Sequence, residues 1–442
     1  MCGIFAVWNV RKAAELTVIG LHAIQHRAID YAGIVSSDSI HFYRERGAGL
    51  ARQVFTRDVL NRLHGRDALG HIRYPTVTDD KTRDNIQPIV FVYNNQPIAI
   101  AHNGNLMNVR QLLEGPLRFS KLSTSMDTEC IPRLLENLDT GHFEADLIAT
   151  LLLLKGSFSL AILLPDRLIA VRDRQGNRPL SIGRAGESYF VSSETCAFPN
   201  VGAEHVQDVL PGTFVSIDSR GLTTTRFAEA DEKKCRFEGV YFSHPASTIF
   251  GERVSRFRMS IGRELERLYP VPGADIVTPI PDSSNFIALG FAGSGRSGPY
   301  FPVLARSHYV GRTFIAATQA QRDEKVSQKS TFTAEEIRGK RIVLVDDSIV
   351  RGTTLPVIVS VLRRLGAREV HARIGFPPIK HPCFYGINTP SYDELIAASL
   401  TPDEMREKMG LDSLEFLPLE ALKKLSPEPE KFCYACITGD YW

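Results

Sequence analysis

The second residue of the chain, Cys2, stands directly after Met1. Removal of Met1 would leave a thiol and a free α-amine on the same residue. An α-amine has a pKa of about 7.7 to 8.0, so it can accept the proton of the thiol near neutral pH. Cys2 is therefore a candidate nucleophile for acyl transfer, although one cysteine is weak evidence by itself.

A second chemically informative segment, RIVLVDDSIVRGTT, covers residues 341–354. An apolar strand leads into two carboxylates, Asp346 and Asp347, and a loop of small residues then opens a helix expected over 356–365. Ligands of α/β sheets bind beyond the carboxyl ends of the strands. The loop's backbone N–H groups can hold a phosphate, helped by the hydroxyls of Ser348, Thr353 and Thr354, while the two carboxylates can accept hydrogen bonds from ribose hydroxyls.

Two kinds of secondary-structure pattern must position these groups. Before residue 225, short strand-like runs such as Ser188 to Ser192 alternate with turns and with helical patterns such as Ile131 to Leu138. This alternation indicates an α+β domain with packed sheets. The charged stretch AEADEKK at 228–234 predicts a linker. Strands and helices then alternate as in a parallel sheet, and a capping box at Thr401 and Glu404 predicts a late helix. We expect two domains, 1–230 and 231–442.

Composition and charge exclude several function classes. With 52 basic and 50 acidic residues, the chain carries no charge excess of the kind that holds nucleic acid. No apolar run approaches the ~20 residues that span a bilayer, and no secretory leader is recognisable. We therefore expect neither nucleic acid nor membrane as a partner, and a cytoplasmic location.

The first half resembles the class II glutamine amidotransferases. The matching segments are His26-Arg27, GHIRY at 70–74, HNGNL at 102–106 and SMDTE at 125–129. The resemblance implies an N-terminal-nucleophile αββα fold in which Cys2 attacks the side-chain carbonyl of glutamine. It further implies the following roles: oxyanion donors at Asn103 and Gly104, and glutamine binding by Arg27, Arg73 and Asp127.

The second half resembles the type I phosphoribosyltransferases, which bind phosphoribosyl pyrophosphate together with magnesium. The segment PIPDSS at 279–284 is similar to that family's pyrophosphate loop, and YVGRTFI at 309–315 matches as well. The resemblance implies magnesium at Asp346 and Asp347. The phosphoribosyl pyrophosphate ligands that it implies are Asp282, Ser283, Arg312, Lys329, Asp346, Asp347, Ser348, Arg351, Gly352, Thr353 and Thr354.

The two halves in this order resemble the amidophosphoribosyltransferase family, and the resemblance covers almost the whole chain. It implies transfer of ammonia from glutamine to phosphoribosyl pyrophosphate, giving phosphoribosylamine in the first step of purine biosynthesis. We also expect a homo-oligomer. Four cysteines fit the iron-sulfur subtype of this family and would hold a 4Fe-4S cluster: Cys235, Cys383, Cys433 and Cys436. Zinc is the main rival for four thiolates, and four buried free thiols are the plainest reading.

Several positions depart from the family pattern. Ala28, Tyr31 and Pro75 alter the glutamine half, whereas Ser284 and the lid-like segment 318–332 alter the phosphoribosyl half. These departures motivate an alternative function, in which a diverged paralogue keeps the phosphate cradle but hydrolyses the glycosidic bond of a nucleotide or transfers to another acceptor.

Overall fold

The structure is a computed structural model that describes residues 2–74, 83–306, 330–389 and 391–442. Among the helices of these ranges, none combines the length and the apolar character needed to cross a membrane.

The first half contains two antiparallel sheets. Their strands are β1 (Gly3–Trp8), β2 (Tyr31–Ser37), β3 (Phe42–Ala48), β4 (Asp67–Arg73), β5 (Ile89–Tyr93), β6 (Gln96–Leu106), β7 (Gly156–Leu163), β8 (Leu168–Arg172), β9 (Ser181–Ala185), β10 (Ser188–Ser192), β11 (Glu204–Asp208), β12 (Thr213–Asp218) and β13 (Gly221–Arg226). One sheet has the order β11-β9-β10-β1-β4-β2-β3, and the other has the order β13-β12-β8-β7-β6-β5.

Helices cover the outer face of each sheet. Those of the first half are α1 (Ala13–Ala23), α2 (Ala51–Val54), α3 (Arg57–Leu60), α4 (Val109–Glu114), α5 (Cys130–Leu138) and α6 (Phe143–Leu153). Alternation along β1 explains the layering: Ile4 and Ala6 point into the core between the sheets, whereas Phe5 and Val7 point into the core under α1. The first half is therefore a four-layer αββα sandwich.

The second half is built on a parallel sheet. Its strands are β17 (Ile276–Pro279), β20 (Arg341–Asp346), β21 (Glu369–Ile374) and β22 (Ser413–Phe416), which are adjacent in that order. Both faces of β20 are buried, because Val343 and Val345 pack into one core and Ile342 and Leu344 into the other. The near-continuous apolar run of β20 is what a parallel strand with helices on both faces requires.

Helices and short strands complete the second half. The helices are α7 (Val254–Leu268), α8 (Asn285–Ala292), α9 (Ala334–Ile337), α10 (Thr354–Arg364), α11 (Ile396–Ser399), α12 (Pro402–Lys408), α13 (Leu419–Lys424) and α14 (Ala435–Thr438). The remaining strands are β14 (Lys234–Cys235), β15 (Thr248–Ile249), β16 (Glu252–Arg253), β18 (Leu304–Arg306), β19 (Ser330–Phe332) and β23 (Phe432–Cys433). A π-helical turn covers Glu238–Phe242, and 3₁₀ turns cover Gln25–Arg27, Arg83–Asn85, Asp127–Glu129, Thr195–Val201, Tyr392–Glu394 and Pro429–Lys431.

The junction between the halves follows β13, which ends at Arg226. The predicted linker does not run free, since Asp231 N donates to Arg174 O at 2.8 Å and Cys235 N donates to Asn177 O at 3.1 Å. The segment thus lies against the first half while β14 pairs in parallel with β23 of the tail. The domain boundary near residue 230 stays a prediction.

Candidate active sites and the cysteine pocket

Cys2 lies at the end of the sandwich where β1 begins. Gly3 pairs with Ile72 on the antiparallel neighbour β4, so Cys2 continues opposite Arg73, the last residue of β4. His71 Nε2 lies 3.1 Å from His102 O, which ties β4 to β6 across the sandwich. The structure therefore brings Cys2, Arg73 and the HNGNL segment to one edge.

Asn103 and Gly104 lie within the strand β6 rather than in a turn. The Asn103 side chain is buried, and its Nδ2 has no hydrogen-bond partner among the described residues. A Cβ on Gly104 would lie 2.0 Å from Ser157 O, so only glycine fits there. A buried amide donor without a partner lowers the stability of the folded protein. Such a donor is typical of a group that binds a ligand.

Asp127 opens the 3₁₀ turn that packs beside β6. Its Oδ2 accepts a hydrogen bond from Leu106 N at 2.7 Å, and its Oδ1 accepts one from Thr128 N at 2.8 Å. The side chain keeps a quarter of its surface exposed. Asp127 is thus fixed near the end of the HNGNL strand with part of its carboxylate still accessible to a ligand.

Arg27 occupies a different environment from the one predicted for a glutamine ligand. Its guanidinium is fully buried and donates from Nε to Cys2 O at 2.9 Å, from Nη1 to Glu194 at 2.6 Å and from Nη2 to Glu238 at 2.8 Å. Burial disfavours this charge, but the two carboxylates outweigh burial and raise the pKa of Arg27. The geometry commits Arg27 to holding Cys2, and its contact with glutamine stays a prediction.

Sequence reasoning missed Glu194, which gathers several groups around Arg27. Its Oε2 accepts from His244 N and Ser247 Oγ, both at 2.7 Å, and its Oε1 lies 2.8 Å from His26 Nε2. Burial alone would raise the pKa of Glu194, but His26 and Arg27 hold it below the usual glutamate range. Glu194 lies in SSETCAF, a segment with no chemical signature of its own, so only the fold shows its role.

The second site forms where two parallel strands end side by side. The predicted pyrophosphate loop follows β17, and the acidic loop follows β20. Ser283 Oγ donates to Asp347 Oδ2, and Ser348 Oγ donates to Asp347 Oδ1 at 2.6 Å. The structure thus joins the two segments that the sequence analysis assigned to phosphoribosyl pyrophosphate.

The loop between β20 and α10 presents unused donors. Within the described part of the chain, no backbone N–H from Ser348 to Thr353 donates a hydrogen bond. Gly352 has a φ of 65°, a left-handed conformation that favours glycine. Helix α10 begins at Thr354, so its positive end adds to the attraction for an anion. This loop is a suitable phosphate cradle.

The two acidic residues of the cradle repel each other. Burial, followed by the charge of Asp347, raises the pKa of Asp346 well above its usual range, and burial also raises the pKa of Asp347. A divalent cation at this pair would relieve both effects. Mg²⁺ typically uses one or two carboxylates plus substrate phosphate oxygens, so the residues present fit magnesium.

The structure describes only some of the other predicted ligands of this site. Asp282 forms an ion pair with Arg306 at 3.0 Å, and Arg351 pairs with Glu394. All four of these side chains are partly exposed, so a ligand can reach them. Arg312, Lys329 and most of the lid-like segment lie outside the described residues, as does Pro75.

A buried arginine that the sequence analysis did not single out connects the sites. Arg258 of α7 donates to Gly239 O at 3.0 Å and to Ser243 O at 2.8 Å in the segment that begins at Glu238. Its Nη1 also donates to Ser283 O in the pyrophosphate loop at 3.3 Å. The segment 238–243 therefore contacts Arg27 directly through Glu238, and Arg258 links the same segment to the pyrophosphate loop.

The four predicted metal-binding cysteines line one pocket, together with Arg178. They are Cys235, Cys383, Cys433 and Cys436. No three His, Cys, Asp or Glu side chains in the described ranges are grouped to hold a single metal ion. The four thiols line one space beside the fully buried guanidinium of Arg178, and four thiolates suit either an iron-sulfur cluster or a zinc ion.

The remaining cysteines behave differently. Cys130 is buried in the core around α5, and burial raises its pKa to about 11. Cys196 lies against Glu194, and burial is also the main cause that raises its pKa to about 12. Neither lines the four-cysteine pocket.

Comparison with known proteins decides the family. A glutamine amidotransferase domain model matches residues 71–200, and a phosphoribosyl transferase domain model matches residues 295–374. The amidophosphoribosyltransferases of Bacillus subtilis (strain 168) and Methanocaldococcus jannaschii are each 41% identical to this chain, across all of it and across 94% and 97% of their own lengths. This chain belongs to the amidophosphoribosyltransferase family. The resemblance inferred from the sequence is thereby confirmed.

Solved structures of the family share the fold. Glutamine phosphoribosylpyrophosphate (PRPP) amidotransferase from B. subtilis, complexed with ADP and GMP, is similar with a TM-score of 0.92 and 41% identity, over all of this chain and 97% of that one. A structure described as the allosteric regulatory enzyme of purine biosynthesis gives a TM-score of 0.93, also at 41% identity, over all of this chain and 96% of that one. The predicted fold class, a glutaminase sandwich followed by a phosphoribosyltransferase domain, is confirmed. The iron-sulfur subtype, the magnesium ion and the site residues stay predictions.

Proposed function

We propose that this chain transfers the amide nitrogen of glutamine to phosphoribosyl pyrophosphate (PRPP), giving phosphoribosylamine in the first step of purine biosynthesis. Water is consumed, and glutamate and pyrophosphate are the other products. The observation that carries this function is the bridge between the two sites, in which Glu238 contacts Arg27 and Arg258 binds both the segment 238–243 and Ser283, in a chain that matches amidophosphoribosyltransferases over its whole length.

Cys2 begins the reaction in the first half. After Met1 is removed, the Cys2 sulfur attacks the glutamine carbonyl carbon, and its own α-amine accepts the thiol proton and returns it to the departing ammonia. Asn103 Nδ2 and the Gly104 N–H would stabilise the negative oxygen that forms, since donors fixed in advance cost no reorganisation. Water then cleaves the thioester, which releases glutamate and restores the thiol.

Two charged residues would select free glutamine. Arg73, at the end of β4, is suited to the planar α-carboxylate, and Asp127, beside β6, is suited to the α-ammonium. A peptide-bound glutamine lacks both charges. Both residues lie at the same edge of the sandwich as Cys2, which supports this assignment.

The loops after β17 and β20 would bind PRPP. The unused N–H groups of 348–353 would hold the 5′-phosphate at the start of α10, and Asp346 and Asp347 would accept hydrogen bonds from the ribose hydroxyls. Magnesium at this carboxylate pair would supply positive charge to the pyrophosphate as it leaves. Asp282, Ser283, Arg312 and Lys329 stay proposed ligands of that pyrophosphate.

The cysteine pocket would hold a 4Fe-4S cluster. Such a group would supply a cross-link, because β14 lies at the start of the second half, β23 belongs to the tail, and the pocket joins both to Cys383. Iron and sulfide analysis of the purified protein, with zinc measured in the same sample, tests this assignment. Zinc without iron would contradict it.

One set of rate measurements tests the function. PRPP-dependent synthesis should proceed with glutamine or with an ammonium salt and stop with neither. Cys2→Ser should abolish the glutamine-dependent rate and keep the ammonium-dependent rate. Release of free base from nucleoside monophosphates, with no glutamine-dependent pyrophosphate release, would instead support the diverged-paralogue alternative.

A further inference from the structure

The buried arginine that holds Cys2 is itself held from two distant parts of the chain. Glu194 approaches Arg27 from the first half, with Oε1 at 2.6 Å from Nη1. Glu238 approaches from beyond the predicted domain boundary, with Oε1 at 2.8 Å from Nη2 and Oε2 at 3.1 Å from Nη1. All three side chains are fully buried. Glu238 thus contacts Arg27 in a two-point arrangement that fixes the guanidinium plane.

The third guanidinium nitrogen of Arg27, Nε, contacts the candidate nucleophile Cys2. Arg27 Nε donates to Cys2 O at 2.9 Å. The carbonyl, the thiol-bearing carbon and the α-amine of Cys2 all connect to one Cα, so a fixed carbonyl restricts the position of both reacting groups. Misplacement of reacting atoms by about 1 Å can cost 100-fold in rate.

Glu238 is anchored by the second half and not only by Arg27. Its Oε2 accepts from Ser243 Oγ at 3.3 Å, and its Oε1 lies 3.4 Å from Arg178 Nη1. Arg178 in turn donates to Tyr385 O from Nε at 3.1 Å. The carboxylate is therefore held by Ser243 of the second half and by Arg178 of the first half, which in turn binds Tyr385 of the second half.

We propose that Glu238 is a positioning residue for glutamine hydrolysis, which holds Cys2 for attack through Arg27. The second half thereby completes the glutaminase site of the first. This proposal rests on the proposed function of Cys2, and no described hydrogen bond links Glu238 to Asp346, Asp347 or the cradle loop.

Glu238→Gln in the full-length protein tests the proposal. The variant keeps the size of the side chain and removes the charge that orients Arg27. We expect kcat for glutamine hydrolysis to fall roughly 10- to 100-fold, because Cys2 is misplaced. KM for glutamine should stay within about twofold, since Glu238 does not face the substrate, and the rate of PRPP-dependent synthesis from an ammonium salt should also stay within about twofold.

Glu252→Gln is the matched control. Glu252 also belongs to the second half and also pairs with a buried arginine, with Oε2 at 2.7 Å from Arg236 Nη1, but it has no contact with Arg27. Its glutamine kcat should equal that of the unaltered protein. An equal loss of kcat in both variants, an equal loss with glutamine and ammonium, or a raised KM with unchanged kcat would overturn the proposal.

Glu238→Asp is a second test, to be used if Glu238→Gln does not fold. It keeps the charge but withdraws the carboxylate by one methylene, so an intermediate kcat with unchanged KM is expected. A kcat equal to that of the unaltered protein would overturn the proposal. If the proposed function of Cys2 is wrong, a different result follows: glutamine hydrolysis persists in Cys2→Ser.

Discussion

Asn103→Ala separates catalysis from stability. The Asn103 side chain is buried, and its Nδ2 has no partner among the described residues. Removing one donor of this kind from an oxyanion site costs about 3 kcal/mol, so kcat for glutamine hydrolysis should fall on the order of 100- to 1000-fold. An unpaired buried donor itself costs about 1–3 kcal/mol. Its removal should therefore offset part of the lost packing and leave the free energy of unfolding within about 1 kcal/mol.

The assay for Asn103→Ala compares three quantities. They are glutamine kcat, the ammonium-dependent rate of PRPP consumption, and the midpoint of urea unfolding. Only the first should change strongly. An unchanged kcat would refute the assignment of Asn103 Nδ2 as an oxyanion donor. So would a fall in the free energy of unfolding as large as the rise in the activation free energy.

Asn108→Ala is the control with the opposite expectation. Asn108 Nδ2 donates to Leu153 O at 2.8 Å, and its Oδ1 accepts from Lys155 N at 2.9 Å. The variant loses both hydrogen bonds, so the free energy of unfolding should fall by about 1–3 kcal/mol. Glutamine kcat should not change, because neither bond involves Cys2 or a proposed glutamine ligand.

Three further predictions address the second site, the cysteine pocket and pH. Asp347→Asn should lower kcat/KM for PRPP roughly 10- to 150-fold, the equivalent of one charged hydrogen bond, and an unchanged glutaminase rate is its control. Cys433→Ser should lower the melting temperature by roughly 5–15 °C because metal binding is coupled to folding, and equal melting with lost catalysis would contradict it. Burial lowers the pKa of His71 from 6.5 to about 3, so the unfolded chain binds the proton first and stability falls as pH drops below 6.5. The loss between pH 7 and pH 5 should be about 2 kcal/mol, and His71→Asn should reduce this slope in urea unfolding; an unchanged slope would refute it.

For several elements, local patterns predicted the bounds to within one or two residues. The strand expected over Ser188 to Ser192 has those bounds, the helix expected over 131–138 is Cys130–Leu138, and the helix expected over 356–365 is Thr354–Arg364. The capping box was also predicted, and Thr401 Oγ1 accepts from Glu404 N at 3.3 Å. Alternation, capping and turn chemistry act between near neighbours, so the sequence contains them directly.

The sequence by itself determined which groups could do chemistry: an amine and thiol on Cys2, an amide donor at Asn103, and a small-residue loop behind two carboxylates. Only the tertiary structure decided how these groups are held. Arg27 meets Glu194 and Glu238 across separations of 167 and 211 residues, and the fold joins Ser283 to Asp347 by placing β17 next to β20. Such pairs leave no local pattern, because a buried charge is matched to whichever partner the fold brings near it.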